Sequence, residues 1–247
     1  MEGRAAGASL ALPYCGAPPV PGALAWNLDP VLISVLGAGL LAGLGVAARR
    51  GRFLAGWAVL AVALLSPLCA LAVALFSGRT AQHLLVLLGA APLLAAGLGA
   101  AGRLATAPAQ AMAAAGFAAV LWFWHLPVPY ALTFTSSLGW WAMHASLLGA
   151  GLWLARGLVS GAAHRPEVAL MVGLATAAQM GALGAFLTFA PRPLYWPHAV
   201  STLPWGLHPI EDQQLGGLIM WIPGGVAFAA LALAALAHAL REPRPAA

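Results

Sequence analysis

Seven long apolar runs alternate with short breaks rich in arginine, proline or glycine. The runs are Val31–Ala48, Phe53–Phe76, Thr80–Ala101, Pro108–Leu126, Leu138–Ala155, Val168–Phe189 and Gln214–Leu240. A membrane-crossing helix needs roughly 20 mainly apolar residues. The pattern therefore predicts an all-α fold: a polytopic transmembrane helix bundle of about seven spans. The breaks are Arg49-Arg50-Gly51-Arg52, Ser77-Gly78-Arg79, Gly102-Arg103, Pro127-Val128-Pro129, residues 156–167 and a long loop, residues 190–213. No internal repeat stands out. The reading is one bundle over residues 29–240, preceded by an outer segment, 1–28, and followed by a cytoplasmic tail, 241–247.

Composition agrees with a lipid environment. The chain is 62% hydrophobic and 7% charged, against about 25% charged in soluble domains. Too few charges remain to cover a water-facing surface. All 11 basic residues are arginine. They are scattered over loops rather than gathered on one face, which argues against nucleic acid as a partner. With the N-terminus outside, eight arginines (49, 50, 52, 103, 156, 165, 241 and 244) fall inside and three (4, 79 and 192) outside. Positive residues are retained on the cytoplasmic side, so the expected topology is N-out and C-in, in a bacterial inner membrane. The first apolar patch, Ala8–Leu12, is short and broken by Pro13, so no cleavable signal is expected. Cys15 and Cys69 make neither a disulfide framework nor a CxxC motif. Cys69 reads as a small apolar residue within a span.

This topology places five of the seven histidines on the outer side: His83, His125, His144, His198 and His208. His164 and His238 fall inside. Imidazole is the commonest protein metal ligand, and an ionisable residue within a span, as His144 is, reads as functional by default. His83, His125 and His144 sit on separate spans and meet only if those spans pack as neighbours. His198 and His208 lie in the last outer loop, where Tyr195 and Trp196 suit a membrane surface. The segment Glu211-Asp212-Gln213-Gln214-Leu215-Gly216-Gly217 opens the last span with four polar side chains. Asp212, Gly216 and Met220 share one helical face. Asp212 reads as a helix cap or as a carboxylate that binds metal or orients a histidine. Gln179, mid-span, needs a partner. Met143 precedes His144 but points about 100° away from it. Imidazoles with a carboxylate or thioether suit copper, zinc or iron, and two facing histidines suit haem. No HExxH, GxSxG or phosphate loop occurs, so a zincin-type protease, a serine hydrolase and a phosphate-loop enzyme are not supported; the expectation of a non-enzymatic protein rests on the resemblance below.

Four segments, DQQLGGLIMWIPGG (212–225), LTFAPRPLY (187–195), WHLPVPY (124–130) and QHLLVLLGAAPLL (82–94), resemble the CtaG family of caa3-type cytochrome c oxidase assembly factors. The resemblance spans about residues 77–235. It implies a membrane assembly factor that matures a haem-copper oxidase by delivering copper. The partners implied are an oxidase subunit, the lipid bilayer and a soluble copper chaperone. The positions carried over are His83, His125, His144 and Asp212. Two positions depart from the family pattern: Arg79 stands where a second histidine precedes the Gln-His pair, and Met143 stands where a glutamate precedes the histidine. Alternatives are a haem- or quinone-linked electron-transfer protein, or a metal-free scaffold or transporter.

Overall fold

The computed structural model describes residues 12–99 and 101–241. Residues 1–11 with Arg4, the tail 242–247 with Arg244, and the side chain of His238 lie outside the described residues. Among the described residues the chain is helical, with no strand. Nine helices follow one another: α1 Pro30–Val46, α2 Arg50–Leu65, α3 Pro67–Ala74, α4 Phe76–Leu98, α5 Ala107–His125, α6 Pro127–Thr135, α7 Ser137–His164, α8 Pro166–Thr188 and α9 Pro209–Arg241. Four of them (α4, α5, α7 and α8) are individually long and apolar enough to cross a membrane, and the bent pair α2–α3 makes a fifth if counted as one span. Apolar α1 is shorter, at 17 residues.

Proline and hydroxyl residues explain where the helices stop. Ser66 caps α3 by accepting from the Leu68 amide, and Pro67 occupies the first turn. There the missing proline N–H costs nothing, but Pro67 cannot continue α2. The single run read as Phe53–Phe76 is thus broken, with a 49° bend. Pro127 starts α6 in the same way, so the Pro127–Pro129 break opens a short helix rather than a bare turn. Within α4 a π-helical turn covers Leu85–Ala90. Pro92 cannot donate to the carbonyl four residues back, and a widened turn just upstream accommodates that loss.

Close packing of α8 and α9 depends on glycine. A Cβ on Gly217 would run into Thr188 Oγ1 and, at 2.7 Å, the Gly184 carbonyl oxygen. A Cβ on Gly216 would overlap the Phe76 ring. Small residues let helix backbones approach where lipid supplies no hydrophobic drive for association. The face Asp212–Gly216–Met220 is buried throughout. It points at α4, and this contact sets the position of the site.

Cys15 and Cys69 are joined by a disulfide. This corrects the reading of Cys69 as a lone apolar residue. The two half-cystines are 54 residues apart, and nothing in their spacing announces the pairing. The bond ties the segment before α1 to α3.

Candidate functional site

His83 on α4, His125 at the end of α5 and His144 on α7 meet in the interior. The ring centroids of His83 and His144 are 5.6 Å apart, and those of His83 and His125 are 6.5 Å apart. His83 is the shared member. All three are buried, at 6–7% exposure, whereas the sequence placed them within reach of outer solvent. Two bond back to their own helices: His125 Nδ1 lies 2.7 Å from the Leu121 carbonyl and His144 Nδ1 2.9 Å from the Trp140 carbonyl. A carbonyl only accepts, so Nδ1 carries the proton in each and Nε2 presents a lone pair. The Nε2 atoms of His83 and His144 are buried without a partner. Buried polar atoms are normally hydrogen-bonded, and these two nitrogens have no protein partner. Among the described residues, no group of three His, Cys, Asp or Glu side chains is arranged to hold a metal ion.

Asp212 does not join the histidines. Its carboxylate accepts from the Phe76 amide at 2.6 Å, and from the Ser77 amide at 3.1 Å and hydroxyl at 2.5 Å. These are the first donors of α4, whose flanking residue, Leu75, offers no side-chain cap. The aspartate caps α4 across 135 residues of chain, and its charge complements the positive end of that helix. The sequence reading had it capping its own helix or serving the metal directly. It acts two turns away from His83, through the helix that carries it. Gln82 anchors the same helix by donating to the Ala63 carbonyl at 2.8 Å. Gln213 fastens the loop between α8 and α9, accepting from the Leu194 amide at 2.7 Å and donating to the Leu187 carbonyl.

His198 lies in the loop read from the sequence but packs into the interior. It is 2% exposed. Tyr130 donates its hydroxyl to His198 Nε2 at 2.6 Å, and Nδ1 donates to the Ala74 carbonyl at 3.2 Å. Both nitrogens are in use, and burial pushes the imidazole down to about 3, with nearby Arg79 adding to the shift. His208 lies exposed on the surface, where its backbone amide donates to Glu211. Tyr195 is buried rather than at a membrane surface. Its ring stacks on Phe76 and its hydroxyl donates to the His125 carbonyl at 2.9 Å. Trp196 is exposed. Gln179 accepts from the Trp122 indole at 2.9 Å.

Arg79 has a larger role than its neighbours suggested. It is 3% exposed and lies one turn before His83 on α4. It donates to the Ala72 carbonyl at 3.2 Å and the Thr133 hydroxyl at 2.5 Å. Its guanidinium lies over Phe134 at 4.1 Å and Tyr130 at 5.0 Å. An arginine keeps its charge in such a place, so a fixed cation stands beside the histidines. The visible signal in the sequence was the arginine of the Ser77-Gly78-Arg79 break, four residues before a histidine.

Two conclusions follow about the chemistry. His83 and His144 present unpartnered Nε2 atoms in a buried interior, and the Asp212 carboxylate is committed to capping α4. A model of the family described as cytochrome c oxidase caa3 assembly factor (Caa3_CtaG) matches residues 35–242. No curated protein and no solved structure matches the chain.

Proposed function

Because the chain belongs to the family of caa3 cytochrome c oxidase assembly factors, we propose that it is a non-enzymatic membrane protein that carries Cu(I) as cargo for the oxidase. The observation behind this reading is the pair of unpartnered Nε2 atoms on His83 and His144. An imidazole bound through one nitrogen holds its centroid roughly 3 Å from the ion, so two rings sharing one ion lie about 6 Å apart or less. The 5.6 Å pair fits that span, and the 6.5 Å pair is close enough for His125 to serve as donor or acceptor in ligand exchange. Arg79 supports the monovalent ion, since a fixed positive charge opposes Cu(II) more strongly than Cu(I). Asp212 contributes by holding the start of α4, and with it His83.

The wider reading places seven crossings in a bacterial inner membrane: α1, α2–α3, α4, α5, α7, α8 and α9. The N-terminus faces outward, and an oxidase subunit and a soluble copper chaperone are the partners. A disulfide persists only in an oxidising compartment, which supports an outward position for Cys15 and Cys69. The test is anaerobic titration of the detergent-purified protein with Cu(I) against a competing chelator. The wild type should take up about one equivalent, and His83→Ala and His144→Ala should each weaken uptake. Equal uptake by the wild type and by the protein lacking all three imidazoles would overturn the proposal.

A further inference from the structure

The segment before α1 packs against α7 beside the histidine site. Its residue Tyr14 stacks on Trp140 at 4.2 Å and meets Trp141 edge-on at 5.7 Å. Trp140 in turn lies against His144, with ring centroids 4.0 Å apart. The stack therefore runs Tyr14, Trp140, His144, from strap to site. Trp140 and His144 also wall an apolar cavity of about 150 Å³, together with Leu32 and Leu36 of α1, Trp57 of α2 and Trp141 of α7.

One covalent bond fixes this strap. Cys15 follows Tyr14 directly and is bridged to Cys69. The remaining ties are non-covalent. The Tyr14 hydroxyl donates to Asp29 at 2.7 Å, and Asp29 also caps α1 at the Leu32 amide. The Trp205 indole donates to the Pro19 carbonyl at 3.0 Å. The Asn27 backbone amide donates to the Leu65 carbonyl at 2.8 Å, and its side-chain amide donates to Cys69 Sγ at 3.4 Å. Single hydrogen bonds contribute little net stability each. Helix α1 adds a light hold, with only Leu32 and Leu36 buried along it.

We infer that the Cys15–Cys69 disulfide is a redox latch that keeps Tyr14 stacked on Trp140 and so holds Trp140 against His144, and that its reduction frees this stack and opens His144 to the outer side. The sulfur atoms differ in reach, since Cys15 is half-buried and Cys69 fully buried. An external dithiol is the reductant. Its first thiolate attacks the Cys15 sulfur, and Cys69 leaves as a thiolate that takes up a proton. The second thiol of the reductant then resolves the mixed disulfide, releasing Cys15 as a thiol and leaving the reductant as a disulfide. The latch rests on the copper reading only for what passes through the opening. The gating itself is a matter of access to His144.

Access is measured by carbethoxylation with diethyl pyrocarbonate, which attacks neutral imidazole, followed by peptide mass spectrometry. In the oxidised protein His144 should stay unmodified while exposed His164 and His208 react. Reduction with dithiothreitol, with both thiols then trapped by alkylation, should raise His144 modification several-fold and leave His164 and His208 unchanged. Tyr14→Ala should do the same with the disulfide intact, which keeps the idea testable if the Cys15→Ser/Cys69→Ser protein does not fold. Unchanged His144 protection after proven alkylation of both cysteines would overturn the latch, as would free thiols in protein isolated without reductant. Failure of the copper titration leaves the accessibility result standing, so the two proposals fail separately.

Discussion

Asp212 shows how far a single residue can be read. Its position at the head of a helix, with polar neighbours, predicts a cap or a ligand, and it does cap a helix. What the sequence withholds is which helix, because the partner amides at Phe76 and Ser77 lie far off along the chain. The same limit applies to the histidines. Their residue type announces chemistry, but only the packing of α4, α5 and α7 brings three rings together and sends His198 to Tyr130 instead. Losing the carboxylate strands two amides and a hydroxyl that are buried. Removing a capping side chain costs about 0.5–2 kcal/mol, and each buried donor left unmade adds roughly 1–3 kcal/mol. Asp212→Ala should therefore destabilise the protein by about 4 kcal/mol or more, and Asp212→Asn, which keeps one acceptor, by less. Unfolding of both variants in mixed detergent micelles checks the order. Equal stability of Asp212→Ala and the wild type would remove Asp212 as the anchor of α4.

Elements were legible where one physical rule dominated. Long apolar runs gave the helices, and their ends follow from arginine, proline and glycine. The misreadings occur where local chemistry acts inside an apolar run. Ser66-Pro67 breaks the second run, and Pro127 opens α6; both were visible as a serine-proline pair and a Pro-x-Pro motif. The π turn in α4 left no comparable mark beyond Pro92. The α8–α9 contact is a case where sequence and packing agree, since Gly216-Gly217 implies a close neighbour and Gly184 supplies it. At Gly217 the obstacle is a backbone carbonyl, which cannot swing aside as a side chain does. At Gly225 an added Cβ meets nothing within 4 Å. Overpacking of this kind costs typically 1–3 kcal/mol, whereas glycine to alanine in an open helical position gains up to about 1 kcal/mol. Gly217→Ala should thus lower the unfolding temperature in detergent while Gly225→Ala leaves it level or raises it. A Gly217→Ala protein as stable as the Gly225→Ala protein would contradict the close approach.

At the scale of the whole molecule, the two ends of the bundle differ in chemistry. At one end the Arg49 amide donates to the Gly97 carbonyl, the Arg156 guanidinium approaches the Gly99 carbonyl, and the Ala101 amide donates to the Ser160 hydroxyl. The arginine-bearing breaks 49–52, 102–103 and 156–165 gather there. The other end carries the disulfide, the strap from Pro13 to Asp29 and the loop 190–208, tied together by Trp205 on Pro19 and by Ser201 on Ala74. Arginine bias and disulfide chemistry are independent, one acting during insertion and the other after it. They assign the same end to the cytoplasm only if the helices alternate as proposed. Each outer-side function, metal arrival and reduction of the latch alike, requires that orientation. Alkaline phosphatase needs an oxidising compartment to form its own disulfides. Fused within the 190–208 loop it should be active, and fused after α9 it should be inactive, with a fluorescent reporter at the same C-terminal position giving the opposite result. An active C-terminal phosphatase would turn the bundle over. It would leave the cysteines on the reducing side and remove the physical basis for both the copper route and the latch.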